Sequence, residues 1–246
     1  MSEINNERFI EFLNTFNNKS FGNNKFYDTI TEISRKKSGK KEALIENEFH
    51  MYSLDDIAKG SKTLSLNLPK TTDALYYKEN TDNKTLSLYF IEFKFHNLDD
   101  PNAEDLLNNL VDEMYSEPKK LKCVKKYKKD LNKIKQYYGD DVKHTLILKP
   151  IESIKVVIPK LYKEFDSDID EKDIEKYLEN VEKKLCIFVS TYTENGKYNR
   201  HKERMESMST GLELYFDRLV SGNIIDNYEI YPRCSFGDFL KGEKLN

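Results

Sequence analysis

The sequence predicts an α/β fold, built as an α+β mixed sheet in a single domain that spans residues 1–246. Strand-like segments at 63–68, 73–77 and 85–96 follow one another too closely for helical crossovers, so we expect them to form an antiparallel meander. Beyond this region helical and strand-like segments alternate, which adds further strands to the sheet. With 14 Phe and 16 Tyr among 246 residues, the chain carries enough apolar surface to bury a core.

The composition excludes several classes of protein. The chain has 40 Lys and Arg against 43 Asp and Glu, and this near-neutral balance makes no case for nucleic-acid binding by the molecule as a whole. The longest apolar run, 185–189, is far shorter than the ~20 residues that span a bilayer, so we expect no membrane partner. The amino-terminal residues do not resemble a signal peptide. The three cysteines, Cys123, Cys186 and Cys234, are too far apart for a disulfide framework, which favours the reducing cytoplasm.

The first 41 residues are predicted to form an amino-terminal helical extension. Apolar residues recur at helical spacing in 9–16 and again in 26–33, with a polar loop between the two stretches. After a basic connector, a third helix is expected over 42–50. A short helix over 53–60 should follow, because its first residues resemble a capping box.

Alternation and turn residues predict the three strands of the meander. Residues 63–68 alternate strictly between polar and apolar side chains, as a half-buried strand does. The polar turn 79–84 separates the second strand from the third and predicts a hairpin. The centre of the third strand, from Leu88 to Ile91, is apolar on both faces. This pattern favours a central strand that is covered on both sides.

The remaining elements follow from the same periodicities. We expect helices at 97–117, 119–138, 170–184 and 200–221, and strands at 145–148, 185–193 and 228–236. The stretch 154–161 stays ambiguous because Pro159 interrupts it.

The end of the third strand carries the clearest chemical signal. Glu92 and Lys94 point to the same strand face as the apolar Phe90, so this face ends in a carboxylate and an ammonium. A carboxylate on a buried face is costly unless it is paired or binds a metal. Pairing across the polar turn brings Asp73 next to Glu92 or Lys94. The hairpin therefore predicts two carboxylates and a lysine at one end of the sheet.

This combination suits the hydrolysis of phosphodiester bonds. Carboxylate oxygens are the ligands that Mg²⁺ or Mn²⁺ prefers, and such an ion offsets the charge that builds on the phosphoryl oxygens. The lysine would orient the attacking water or add positive charge to the transition state. The alternative interpretation is a solvated, inert Glu92–Lys94 pair at a strand end, with Asp73 as a turn residue.

The spacing of Asp73 and Glu92-x-Lys94 on neighbouring strands resembles the PD-(D/E)xK nuclease superfamily, which has the restriction-endonuclease-like fold. The core of that fold is a helix, a three-strand meander, a helix and a strand. The resemblance implies that this core covers 42–148 and that 149–246 form a carboxy-terminal α/β extension on the same sheet. Thr72 stands where the superfamily commonly has proline.

The resemblance also implies a role for each site residue. Asp73 and Glu92 would be ligands of Mg²⁺ or Mn²⁺, and Lys94 would be the catalytic lysine. Many members of the superfamily add an acidic metal ligand from the first core helix. Here Glu46 and Glu48 are the candidates, ahead of Glu42.

A lysine-rich helix follows the candidate site in the sequence. Its side chains would contact the phosphates of a nucleic acid through charge alone, in a salt-dependent way. The candidate contact residues are Lys119, Lys122, Lys125, Lys126 and Lys129. The competing interpretation is a solvated helix face in a chain that is rich in lysine.

The sequence therefore leaves two functions open. One is a Mg²⁺-dependent endonuclease or exonuclease that acts on DNA rather than RNA. The other is a catalytically inactive binding or interaction protein on the same scaffold. The oligomeric state, including a homodimer, stays open. One distance separates the two functions, because carboxylates more than about 8 Å apart cannot share a single Mg²⁺ ion.

Overall fold

Six strands form one mixed sheet, and their order in the sheet follows their order in the chain. They are β3 (Tyr27–Thr29), β4 (His50–Ser53), β5 (Ala74–Asn80), β6 (Thr85–Lys94), β7 (Glu182–Val189) and β8 (Asn227–Pro232). Two further strands, β1 (Ser20–Phe21) and β2 (Asn24–Lys25), pair as a separate hairpin whose turn places Gly22 at φ 60°. The computed structural model describes residues 4–38, 43–80, 85–94, 144–189, 214–232 and 235–245.

The direction of the strands changes in the middle of the sheet. Strands β3 to β6 pair antiparallel, whereas β6, β7 and β8 run parallel. The mixed α/β sheet expected from the sequence is therefore present. The β5–β6 hairpin is confirmed, with Ala74 opposite Ile91 and Asn80 opposite Thr85.

The strand predicted at 63–68 is wrong. This segment forms turns, and of its three leucines only Leu64 is buried, while Leu66 is 93% exposed. The Glu164 carboxylate holds the segment by accepting hydrogen bonds from the Ser61 hydroxyl, at 2.6 Å, and the Thr63 amide, at 2.9 Å. These polar contacts with a residue far along the chain compete successfully with strand pairing. The strand β4 takes the place that 63–68 was expected to fill in the meander.

The helix predicted at 42–50 is also wrong, because residues 43–49 have no regular structure. Their backbone is bound by side chains of the preceding helix α2 (Ile30–Ser38). The Thr31 hydroxyl accepts from the Asn47 amide at 2.8 Å, and the Ser34 hydroxyl accepts from the Ile45 amide at 3.3 Å. Because these bonds satisfy the backbone, the segment needs no helical bonds of its own.

Two amino-terminal helices were predicted correctly. Helix α1 (Asn6–Asn14) begins at the cap Asn5, whose side chain accepts from the Arg8 amide, and it buries the face that carries Phe9 and Phe12. Helix α3 (Leu54–Gly60) follows β4 directly, as the predicted helix 53–60 required. The predicted helix at 26–33 instead divides into β3 and the start of α2.

The second half of the chain supplies the remaining helices. They are α4 (144–152), a π-helical turn (Ser153–Val157), α5 (Ile158–Phe165), α6 (Glu171–Glu179), α7 (214–221) and α8 (Phe236–Gly242). The strand predicted at 145–148 is wrong because those residues belong to α4. A short apolar run does not distinguish a buried strand from one helix turn. The expected helices at 97–117 and 119–138 lie outside the described residues.

Helices cover both faces of the sheet. On one face Phe12 of α1, Ile57 of α3 and Leu161 of α5 join the core formed by Leu88 and Phe90 of β6. On the other face α2 and α8 pack against the opposite side of β6, where Tyr89 and Ile91 lie. The expectation that this strand is covered on both sides is confirmed. Within the described part of the chain, no helix has the length and apolar character needed to cross a membrane.

Candidate active site

Asp73 and Glu92 lie next to each other at the edge of the sheet that is formed by strand ends, where β5 begins and β6 ends. Asp73 immediately precedes β5, and the register that sets Ala74 opposite Ile91 brings it opposite Glu92. Both side chains are buried, with 1% and 2% of their surface exposed. This edge is where the parallel strands β6, β7 and β8 end, the usual place for a ligand site in sheets of this kind.

The Asp73 carboxylate is fixed by the backbone of β6. Its Oδ2 atom accepts a hydrogen bond from the Phe93 amide at 2.7 Å. One residue earlier, the Thr72 amide donates to the hydroxyl of Ser153 at 2.9 Å. The backbone on either side of Asp73 is thus held by β6 and by the helical segment that contains Ser153.

A lysine from α4 contacts both carboxylates. Lys149 Nζ lies 3.2 Å from Oδ1 of Asp73 and 2.7 Å from Oε1 of Glu92. Burial acts to lower the pKa of Lys149, but the charges of Asp73 and Glu92 outweigh it and raise the pKa above its ordinary value. Because both oxygens contact one nitrogen, they lie within about 6 Å of each other, inside the limit for sharing one Mg²⁺ ion.

Hydrogen bonds from the segment before Asp73 set the position of α4. The Lys70 amide donates to the Glu152 carboxylate, and Lys70 Nζ donates to Thr145 Oγ1 at 3.1 Å. Together with the bond from Thr72 to Ser153, they attach 70–72 to three points along the helical segment. These contacts bring Lys149 over the two carboxylates.

The other predicted site residues have different positions. Glu46 and Glu48 are exposed in the irregular segment before β4. Among the described residues there is no group of three or more His, Cys, Asp or Glu side chains that could hold a metal, so neither glutamate is brought into such a group with Asp73 and Glu92. The helix that was expected to present them is absent.

Three sets of predicted site residues lie partly or wholly outside the residues that the structure describes. Lys94 is the last residue of β6, where it pairs with Val189, but its side chain is not among those described. Glu42 also lies outside the described residues. The same holds for the candidate nucleic-acid contacts Lys119, Lys122, Lys125, Lys126 and Lys129.

Lys149 is the site residue that sequence reasoning missed. The signal for it is a helical spacing of buried residues at Leu146, Pro150, Ser153 and Val157, which puts Lys149 at the border of the buried face. Pro150 obscures this pattern, because proline usually ends a helix.

Buried polar side chains gather around this edge of the sheet. Thr71, Thr72 and Ser153 are all buried, and the Thr71 hydroxyl donates to the Asp55 carboxylate at the start of α3. Such a network costs stability unless its members are paired, which makes an ordered polar site the natural reason to keep it. The two carboxylates hold one cation between them, and in this structure that cation is the ammonium of Lys149.

Comparison with known proteins does not identify the chain, because no family model, no curated protein and no solved structure matches it. Function must therefore be inferred from the residues of the site.

Proposed function

We propose that this protein is a Mg²⁺-dependent nuclease that hydrolyses phosphodiester bonds, in DNA rather than RNA. The observation that carries the proposal is the convergence of Asp73, Glu92 and Lys149 at the edge where β6 and β7 end. Two buried carboxylates and an ammonium at one point provide both halves of the chemistry, because they can bind a divalent cation and offset charge on a phosphate.

The order of the elements supports a restriction-endonuclease-like core. Helix α2, the strands β4, β5 and β6, the helical segment that begins with α4 and the strand β7 follow in the order helix, three strands, helix, strand, with α3 inserted between β4 and β5 and α6 before β7. The last strand lies parallel to β6 and next to it. Relative to the 42–148 window implied by the sequence, this core begins earlier, at Ile30, and ends later, at Val189.

The donor set fits Mg²⁺ or Mn²⁺. Both are hard cations that prefer oxygen ligands, and Mg²⁺ is commonly held by one or two carboxylates with water completing its shell. Asp73 and Glu92 would hold the ion at the point where their oxygens now converge on the Lys149 ammonium, which would move aside towards the phosphate. When bound, the ion would supply Lewis-acid stabilisation of a phosphoryl group.

The chain's own residues have separate tasks in this proposal. The Phe93 amide keeps Asp73 in one orientation, so the carboxylate is preorganised. Lys149 stays protonated at neutral pH because its pKa is raised, and it contributes positive charge where a phosphate would sit. Lys94, two residues beyond Glu92, keeps the role of orienting the attacking water that the resemblance implies.

Cleavage assays with matched variants test the proposal. The purified protein should cut DNA in the presence of Mg²⁺ or Mn²⁺, and Asp73→Asn or Glu92→Gln should lower the rate at least a hundredfold, roughly the loss seen when a group that stabilises a transition state is removed. Asp166→Asn is the control, because this carboxylate pairs with Arg8 away from the site. Equal cleavage by all four proteins would refute the assignment.

A second candidate function is a catalytically inactive binding protein on the same scaffold. The observation that favours it is that Lys149 already pairs with both buried carboxylates, so the cluster has a cationic partner without a metal. Absence of cleavage together with absence of Mn²⁺ binding would select this function.

A further inference from the structure

A pocket opens where β4 and β5 separate. The two strands pair only through Tyr52 with Leu75 and Ser53 with Ala74, whereas β5 continues to Asn80. From Tyr76 onward, β6 is the only described strand that pairs with β5. The pocket at this free edge has a volume of about 350 Å³. That volume is near the lower end of the roughly 300–1,000 Å³ of ligand pockets, which suits a single small ligand.

Four tyrosines line the pocket: Tyr27, Tyr52, Tyr76 and Tyr77. The rings of Tyr52 and Tyr77 have centroids 6.4 Å apart and planes 20° apart, and those of Tyr77 and Tyr76 are 6.1 Å and 16° apart. The ring of Tyr27 lies 4.9 Å from that of Tyr52. Tyr52 is only 2% exposed, and Tyr76 points to the opposite face of β5 from its neighbour Tyr77, so the half-buried rings of Tyr27 and Tyr77 are the ones that a ligand on this face can reach. Ring faces that lie beside one another favour a flat ligand laid against them, whereas a compact cation is bound by rings that enclose it from several sides.

The rim of the pocket is polar. Asn14 and Asn17 come from α1 and the turn that follows it, and Asn14 Oδ1 accepts from the Tyr52 hydroxyl at 3.2 Å and from Asn17 Nδ2 at 3.3 Å. Lys78 and Lys244 stand against one carboxylate, Glu79, so the rim carries a small positive excess, although the ammonium of Lys78 also donates to the backbone carbonyl of Glu243. Amide groups match the donor and acceptor edges of a nucleobase, and ammonium groups match a phosphate.

We propose that this pocket binds an unpaired nucleotide. The base would stack on the faces of Tyr27 and Tyr77, the amides of Asn14 and Asn17 would contact its edge, and Lys244, with Lys78 near it, would contact the phosphate. Aromatic stacking combined with positive charge is the general mode by which proteins hold single-stranded nucleic acid. A free mononucleotide offers the same chemistry, so the ligand is either a free nucleotide or one nucleotide of a single strand.

The ionisation of the tyrosines fits this ligand. Burial, followed by the neighbouring tyrosines, raises the pKa of Tyr52, Tyr76 and Tyr77. All three side chains therefore remain neutral phenols at physiological pH. Their phenol hydroxyl groups carry no charge and so do not repel a phosphate.

The pocket is separate from the candidate active site. Tyr77 follows Asp73 by four residues along β5, a distance of roughly 13 Å at the rise of a strand. Neither Asp73 nor Glu92 lines the pocket. Binding of a nucleotide here does not depend on the proposed nuclease activity, although it would serve the same class of substrate.

Tyrosine fluorescence provides a direct test, because the chain contains no tryptophan to mask it. The full-length protein is titrated with AMP and ribose 5-phosphate, and with a dA hexamer and an abasic hexamer of equal charge. AMP and the dA hexamer should quench the fluorescence, while the ligands that lack a base should bind at least about tenfold more weakly. Much tighter binding of the hexamer than of AMP assigns the site to single strands, and similar binding assigns it to a free nucleotide.

Substitutions locate the binding. Tyr77→Leu should weaken the binding of base-containing ligands about tenfold or more, whereas Tyr77→Phe, which keeps the ring, should retain it. Tyr228→Leu is the matched control, because this tyrosine lies on β8 at the far edge of the sheet. Asp73→Asn should bind like the wild type even if it has lost cleavage. Equal affinity for ligands with and without a base, or unchanged binding by folded Tyr77→Leu, would overturn the proposal.

Discussion

Lys149 Nζ lies 2.7 Å from Oε1 of Glu92, a residue on another element and 57 positions earlier in the chain. The same nitrogen contacts Asp73, so one ammonium pairs with two carboxylates that are almost completely buried. This relationship links the stability of the fold to the chemistry of its candidate site. It also means that the site can be probed by unfolding experiments as well as by activity.

Replacement of Lys149 by methionine should destabilise the protein strongly and make it responsive to metal. Breaking a buried ion pair costs about 3–5 kcal/mol, because the remaining charges lose their partner. Mg²⁺ or Mn²⁺ should restore part of this loss if Asp73 and Glu92 can hold the ion, since a ligand that binds only the folded state stabilises it. Thermal unfolding with and without metal measures both effects.

The control for this variant is Lys155→Met. Lys155 lies 3.8 Å from Glu179 in an exposed pair, and such pairs contribute about 0–1 kcal/mol. This variant should unfold close to the wild-type temperature and should not respond to metal. A Lys149→Met protein that is destabilised but gains nothing from either ion would count against a metal site.

Ser153→Ala should disturb the candidate site without removing any charge. The Ser153 hydroxyl accepts from the Thr72 amide in a buried environment, and an unsatisfied buried amide costs about 1–3 kcal/mol. Because this bond holds the backbone beside Asp73, we also expect weaker Mn²⁺ binding, measured by titration of the folded variant. Ser221→Ala is the control. It removes an exposed hydrogen bond from the Ser221 hydroxyl to the Asp217 backbone carbonyl, and it should leave both the stability and the Mn²⁺ binding unchanged.

Glu243→Gln should reduce stability at neutral pH and have less effect in acid. Burial acts to raise the pKa of Glu243, but hydrogen bonds from Lys184 and Tyr89 outweigh it and lower the pKa. The stabilisation is therefore complete above the ordinary value of about 4.3 and is lost as the pH falls through the lowered pKa. Urea unfolding should give a difference from wild type of about 1 kcal/mol at pH 7, which shrinks towards pH 3.

Two leucines in 63–68 should respond differently to substitution. Leu64→Ala should cost about 2–5 kcal/mol because the side chain is buried in the core beneath α3. Leu66→Ser should change stability by less than about 0.5 kcal/mol, since its side chain is exposed. Similar costs at both positions in denaturant unfolding would mean that the segment is a half-buried strand after all.

The parts of the site that the sequence predicts are those that local pattern determines. The hairpin of β5 and β6 follows from two strand-like apolar segments and the polar turn between them, and it brings Asp73 and Glu92 together. Lys149 could not be found in this way, because it reaches the site through helix packing over a long separation in the chain. The same reason explains the wrong strand at 63–68, where Glu164 imposes a turn from a distant helix.

The arrangement of the sheet has a consequence for the order of folding. The meander β3–β6 is complete once residue 94 has been synthesised, but β7 and Lys149 come much later. Until they arrive, the side of β6 that pairs with β7 lacks that partner strand, and Asp73 and Glu92 lack the Lys149 ammonium that permits their burial. We expect the nascent meander to keep both carboxylates in water, where their charge also discourages pairing with other chains. Docking of α4 and β7 would then close the sheet edge and bury the charges in one cooperative step.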